Sequence, residues 1–174
     1  MSNQSLVFAS IIVLAGVAAH AVSAKSPGAM SATDFAQAAA QSDQFEILEG
    51  RTVLAQSRNL QVRAFAQQMI QDHTQTTAAL RQAAMKSGLT PPTPSLGGDQ
   101  AKMLGSLQSL RGPDFDRAYA KQQALAHTSA LVVEQGYAAQ GADPNLRQAA
   151  QSAVPMIQQH LRQAQQMHLA LGDS

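Results

Sequence analysis

Residues 62–80 read VRAFAQQMIQDHTQTTAAL. Val62, Phe65, Ala66, Met69 and Leu80 recur at helical spacing, which predicts an amphipathic helix. His73 falls on the same stripe, four residues after Met69 and seven before Leu80. An apolar stripe has to be buried against other elements, and a histidine in its middle is buried with it. What the chain sets opposite His73 therefore decides both fold and chemistry.

Three further long segments carry a helical stripe. The first starts near Thr33 and Asp34 and runs to about Gln56, with Thr33 as N-cap and Asp34 favourable at the positive helix end. Its stripe is Phe35, Ala39, Ser42, Glu46, Glu49 and Val53. Two acids on an inward stripe are unusual for a plain core. Asn59 caps the helix that contains His73, and Gly88 ends it. Leu89 to Gly98 carries Pro91, Pro92, Pro94, Gly97 and Gly98 and is irregular. Asp99 to Leu110 reads as a short amphipathic helix. The next long helix spans Asp114 to Gln140, with Pro113 in its first turn. Asp143 caps the last and Pro144 opens it. That helix continues to about Leu171, with an internal Pro155 expected to kink it.

Four such helices bury their stripes together as an all-α four-helix bundle. The short turns make the first pair and the last pair antiparallel. Leu89 to Gly112 can stretch to about 80 Å at ~3.3 Å per residue, against about 42 Å for a long helix. It can cross the bundle, so an up-down-down-up order is expected, with the short helix in the crossover.

Glu46, His73, His127 and His160 each lie near the midpoint of one helix. Midpoints of similar helices meet at one level whichever way they run. Three imidazoles and a carboxylate in one layer suit one transition metal ion, Zn, Cu, Fe, Mn or Ni. Glu49 and Glu134 are additional candidates. Asp72 points away from His73, to solvent or to the outer side of a ligand. The same four residues also admit a metal-free acid–histidine network. Ligand imidazoles must be neutral, so metal affinity is expected to fall as pH drops through about 6.5. There are no candidate catalytic residues: no serine nucleophile elbow, P-loop or His-Glu-x-x-His sequence occurs.

Bulk properties narrow the field. A formal charge of +1, 4% aromatic residues and no Trp argue against a nucleic-acid partner. With no cysteine among 174 residues, disulfides, thiolate ligands and lipoprotein anchoring are excluded. Leu6 to Ala19 is an apolar run closed by Val22-Ser23-Ala24, which reads as a secretory signal over residues 1–24. The expected organisation is that signal, a linker over 25–32 and the bundle over 33–172. The expected location is the periplasm, with no integral membrane segment once the signal is cut.

Phe45-Glu46-Ile47, Phe65-Ala66-Gln67-Gln68-Met69, Asp72-His73-Thr74, Phe115-Asp116-Arg117-Ala118-Tyr119, His127 and Pro155 to His160-Leu161 together resemble the bacterial "domain of unknown function 4142" family. The resemblance covers about Asp34 to Leu171. It implies an exported, ferritin-like four-helix bundle and no established reaction. Members often carry an outer-membrane label, but nothing after Ala24 reads as a series of barrel strands or a membrane span. The di-iron pattern of ferritin-like proteins needs Glu-x-x-His on two helices. Here Ile70 and Ile157 stand where those acids would be. Three functions remain open: a metal-binding bundle for storage, buffering or sensing, a metal-free structural or stress-related bundle acting through a protein partner, and a metalloenzyme.

Overall fold

A computed structural model describes residues 30–172, and the expected signal segment lies outside them. Five helices follow one another: α1 (Ala32–Gln56), α2 (Leu60–Lys86), α3 (Gly98–Ser109), α4 (Gly112–Gln140) and α5 (Pro144–Leu171). There is no strand among the described residues.

The helix ends follow local chemistry. Ser31, not Thr33, caps α1: its side chain accepts from the Asp34 amide at 3.1 Å, so the helix starts slightly earlier than expected. Asn59 accepts from the amides of Gln61 and Val62 at 2.9 and 3.2 Å. Gly88 ends α2 with φ +69, where a side chain would be strained. There Leu89 N–H donates to Ala84 and Gly88 N–H to Met85, the paired closure of a Schellman end. Asp143 caps α5 through the Leu146 amide. Pro155 lies inside α5, which continues through it.

Two apolar clusters fix how the helices run. One joins Val53 near the end of α1, Val62 and Phe65 near the start of α2, Phe115 and Tyr119 near the start of α4, and Ala164 and Met167 near the end of α5. The other joins Phe35, Leu80, Tyr137 and Leu146 from the opposite ends of the same helices. Thus α2 and α4 start at one end, while α1 and α5 finish there. Helix α1 packs on α2 and α4, and α5 packs on the same two. Helix α3 lies across α1 and α4 and buries Leu107 against Val53, Phe115 and Tyr119. Both ends are clasped by hydrogen bonds. Ser57 donates to Asp116 at 2.6 Å at one end, and Ser87 donates to Asp143 at 2.7 Å at the other. Between the two apolar clusters lies a polar layer. No described helix is long and apolar enough to cross a membrane.

Candidate metal centre

His73 on α2, His127 on α4 and His160 on α5 meet in that layer, each at most 1% exposed. Their ring centroids are 5.3–5.5 Å apart. One ring nitrogen from each lies within 4.8 Å of the other two.

The hydrogen bonds of the rings decide which nitrogens those are. His73 donates through Nδ1 to Asp43 Oδ1 at 2.8 Å. Asp43, on α1, also accepts from the hydroxyls of Thr76 and Thr77 at 2.8 and 2.9 Å. His127 donates through Nδ1 to the Gln123 carbonyl at 2.9 Å, one turn back on its own helix. His160 donates through Nε2 to Asp72 Oδ2 at 2.9 Å. A neutral imidazole has one N–H and one lone pair. With the outer nitrogens protonated, the lone pairs sit on His73 Nε2, His127 Nε2 and His160 Nδ1. All three atoms are buried and have no protein hydrogen-bond partner.

Burial keeps two of these rings, His127 and His160, neutral. It lowers the pKa of His127 to about 3, with the charge of His73 acting the same way. It lowers that of His160 to about 4, again with His73, while Asp72 opposes the shift. The expected loss of affinity near pH 6.5 therefore does not apply at these two rings: desolvation has moved their protonation well below it.

The geometry suits a borderline transition metal. Imidazole nitrogens bound at ~2.0–2.1 Å in a tetrahedral site are about 3.4 Å apart. The rings need draw in by little more than ~1 Å. Each outer N–H is already fixed by an oxygen, the arrangement that orients histidine ligands and raises their basicity.

Glu46 is placed one turn along α1 from Asp43, and it is Asp43 that hydrogen-bonds a ring of the triad, that of His73. The Glu46 Oε1 atom is 3.7 Å from His127 Nδ1, the nitrogen on the side away from the triad. Its other oxygen accepts from Gln123 Nε2, which also donates to Glu49 Oε2 at 2.8 Å. Burial raises the pKa of Glu46 well above the usual range, with the Glu49 charge adding to it, and pushes Glu49 up to about 8. Glu134, on α4, is also buried. Burial and then the Asp43 charge push it up to about 8. It lines a cavity of about 390 Å³ between α2 and α5 together with Asp43 and Asp72. That cavity reaches the two carboxylates that hold His73 and His160.

Asp43, Gln123 and the cross-helix role of Asp72 are absent from the sequence reading. Asp43 lies four residues after Ala39, and Gln123 four before His127. Helical spacing from known inward positions was the signal that could have found them.

The family model described as "Domain of unknown function (DUF4142)" matches residues 17–167. A crystal structure of a DUF305 fragment from Deinococcus radiodurans superposes with a TM-score of 0.67 at 16% identity, covering 81% of this chain and 95% of that one. At that identity the likeness concerns the fold. No curated protein matches the chain.

Proposed function

We propose a metal-binding role for this chain, which belongs to the DUF4142 family: an exported helical bundle that holds one transition metal ion on His73 Nε2, His127 Nε2 and His160 Nδ1. The observation that carries the reading is the set of three buried lone pairs directed at one another with no protein partner. A metal-free network would be expected to use those nitrogens in hydrogen bonds, because a buried unsatisfied polar atom costs about 1–3 kcal/mol. Here every hydrogen bond of the three rings is made on the outer side.

Nitrogen donors favour Zn, Cu, Ni or Fe over Mg or Ca. Three protein donors leave a further coordination position for a small ligand. Storage, buffering or sensing fits a site that binds and offers no adjacent nucleophile. Export rests on the apolar run Leu6–Ala19 and the Val22-Ser23-Ala24 pattern.

The test is thermal melting of metal-free protein with added zinc, copper, nickel or iron. Binding to the folded state alone raises the midpoint as free metal exceeds the dissociation constant. The rise should occur in the wild type and vanish in His73→Ala. A wild type that no metal stabilises would leave the metal-free reading, in which the bundle acts through a protein partner.

A further inference from the structure

The triad leaves a second buried polar group unexplained. Glu46 and Glu49 lie one turn apart on α1 and are 1% and 0% exposed. Opposite them on α4 stand Gln123 and, one turn earlier, Tyr119, both fully buried. The Gln123 amide nitrogen bridges the two carboxylates. Four oxygens of this group have no protein hydrogen-bond partner: Glu46 Oε1, Glu49 Oε1, Gln123 Oε1 and the Tyr119 hydroxyl. Among the described residues neither carboxylate is ion-paired with a lysine or arginine.

We infer that Glu46, Glu49 and Gln123 form a second cation site, built for a hard divalent ion held by oxygen. Two buried carboxyl groups with no lysine or arginine beside them hold either protons or a metal cation in the protons' place. The protein supplies only a neutral amide. An amide oxygen and nitrogen are nearly interchangeable in shape. Turning the Gln123 side chain over therefore replaces its bridging donor with an acceptor at the same place. Two carboxylates and an amide carbonyl from facing helices then surround one point, with the Tyr119 hydroxyl alongside. Such all-oxygen sets select Mg(II) or Mn(II), while the imidazole triad selects the later transition metals. The two sites lie at opposite edges of the His127 ring: Nδ1 is 3.7 Å from Glu46 Oε1, and Nε2 belongs to the triad.

This site does not depend on the triad holding a metal, and the test separates the two. The probe is Mn(II) alone, read by electron paramagnetic resonance on the full mature chain. Zinc outcompetes manganese at nitrogen ligands, so preloading with zinc blocks the triad. Zinc-loaded wild type should bind one equivalent of Mn(II), His160→Ala should bind one, and zinc-loaded Glu49→Gln should bind none while keeping its helical circular dichroism. Failure of the zinc-loaded wild type to bind Mn(II), or undiminished binding by Glu49→Gln, would overturn the inference. If His160→Ala does not fold, the zinc-loaded wild type carries the test. If Glu49→Gln does not fold, Glu46→Gln replaces it. If the wild type takes up no zinc, the triad reading fails, and Mn(II) binding with its loss in Glu49→Gln still decides this one.

Discussion

At the scale of the residue, Asp43 is the side chain on which the centre turns. It accepts from His73 and from two threonine hydroxyls on α2, so its position is fixed by neighbours. Asp43→Asn keeps the volume but weakens the acceptor and permits the wrong tautomer of His73. We expect metal affinity to fall about 10–100-fold, the usual effect of losing an outer carboxylate partner. Competition against a chelator of known affinity measures it, and unchanged affinity would deny Asp43 that part. The three histidines were legible in the sequence because each sits on or beside an apolar stripe near a helix midpoint. Asp43 was not, because the helical count puts its neighbour Ser42 on the inward stripe and Asp43 about 100° to one side of Ser42. Depth counted from helix starts is good only to about a turn, which is the distance that separates Glu46 from the level of Asp43.

At the scale of the element, the contact of α1 with α2 depends on a residue with no side chain. A Cβ on Gly50 would stand 2.8 Å from Ile70 Cγ1 and 3.0 Å from the Ala66 carbonyl oxygen. Glycine costs an isolated helix about 1 kcal/mol relative to alanine. Overpacking costs about 1–3 kcal/mol. The backbone oxygen cannot step aside without moving α2, so the second effect wins. Gly50→Ala should lower stability by about 1 kcal/mol in urea unfolding, whereas a stabilised variant would mean that the helices separate freely. Asp143 both caps α5 and accepts from Ser87. Asp143→Ala should cost about 1–2 kcal/mol by the same measurement, since both a cap and a tie between helix pairs are lost. Caps at Asn59 and Asp143 and the stop at Gly88 were readable because their chemistry is local. The close approach at Gly50 is tertiary, and a mid-helix glycine gives no local sign of it.

At the scale of the whole molecule, the buried acids and histidines oppose each other in their response to pH. Glu49 and Glu134 keep protons up to about 8 when folded, against 4.5 as the ordinary value, because burial disfavours their charge. The folded state then binds more protons between those values, so their contribution to stability is lost as pH rises from 4.5 to 8. His127 and His160 act in the other sense. They stay neutral when folded down to about 3 and 4, against 6.5 ordinarily, so their contribution is lost as pH falls through 6.5. The two effects offset one another from 4.5 to 6.5, and above 6.5 that of the acids remains. Metal-free protein should therefore have a urea midpoint that declines from pH 6.5 to 8. A midpoint that rises over this range would contradict the burial of those acids. The bundle itself was legible from four stripes and two short turns, and the parallel course of α2 and α4 from the length of the crossover. What no stripe could give was the rotation of each ring about its side-chain bonds, which turns three inward histidines into three converging lone pairs.

The most direct measurement is the metal content and metal-binding stoichiometry of untagged protein, in the wild type and in His73→Ala. Elemental analysis of protein from its native source is followed by isothermal titration of the metal-free form with zinc and copper. The wild type should hold one tightly bound equivalent of a late transition metal, and His73→Ala should lose it. A wild type that carries no metal and binds none, or a variant that binds as tightly as the wild type, would contradict it.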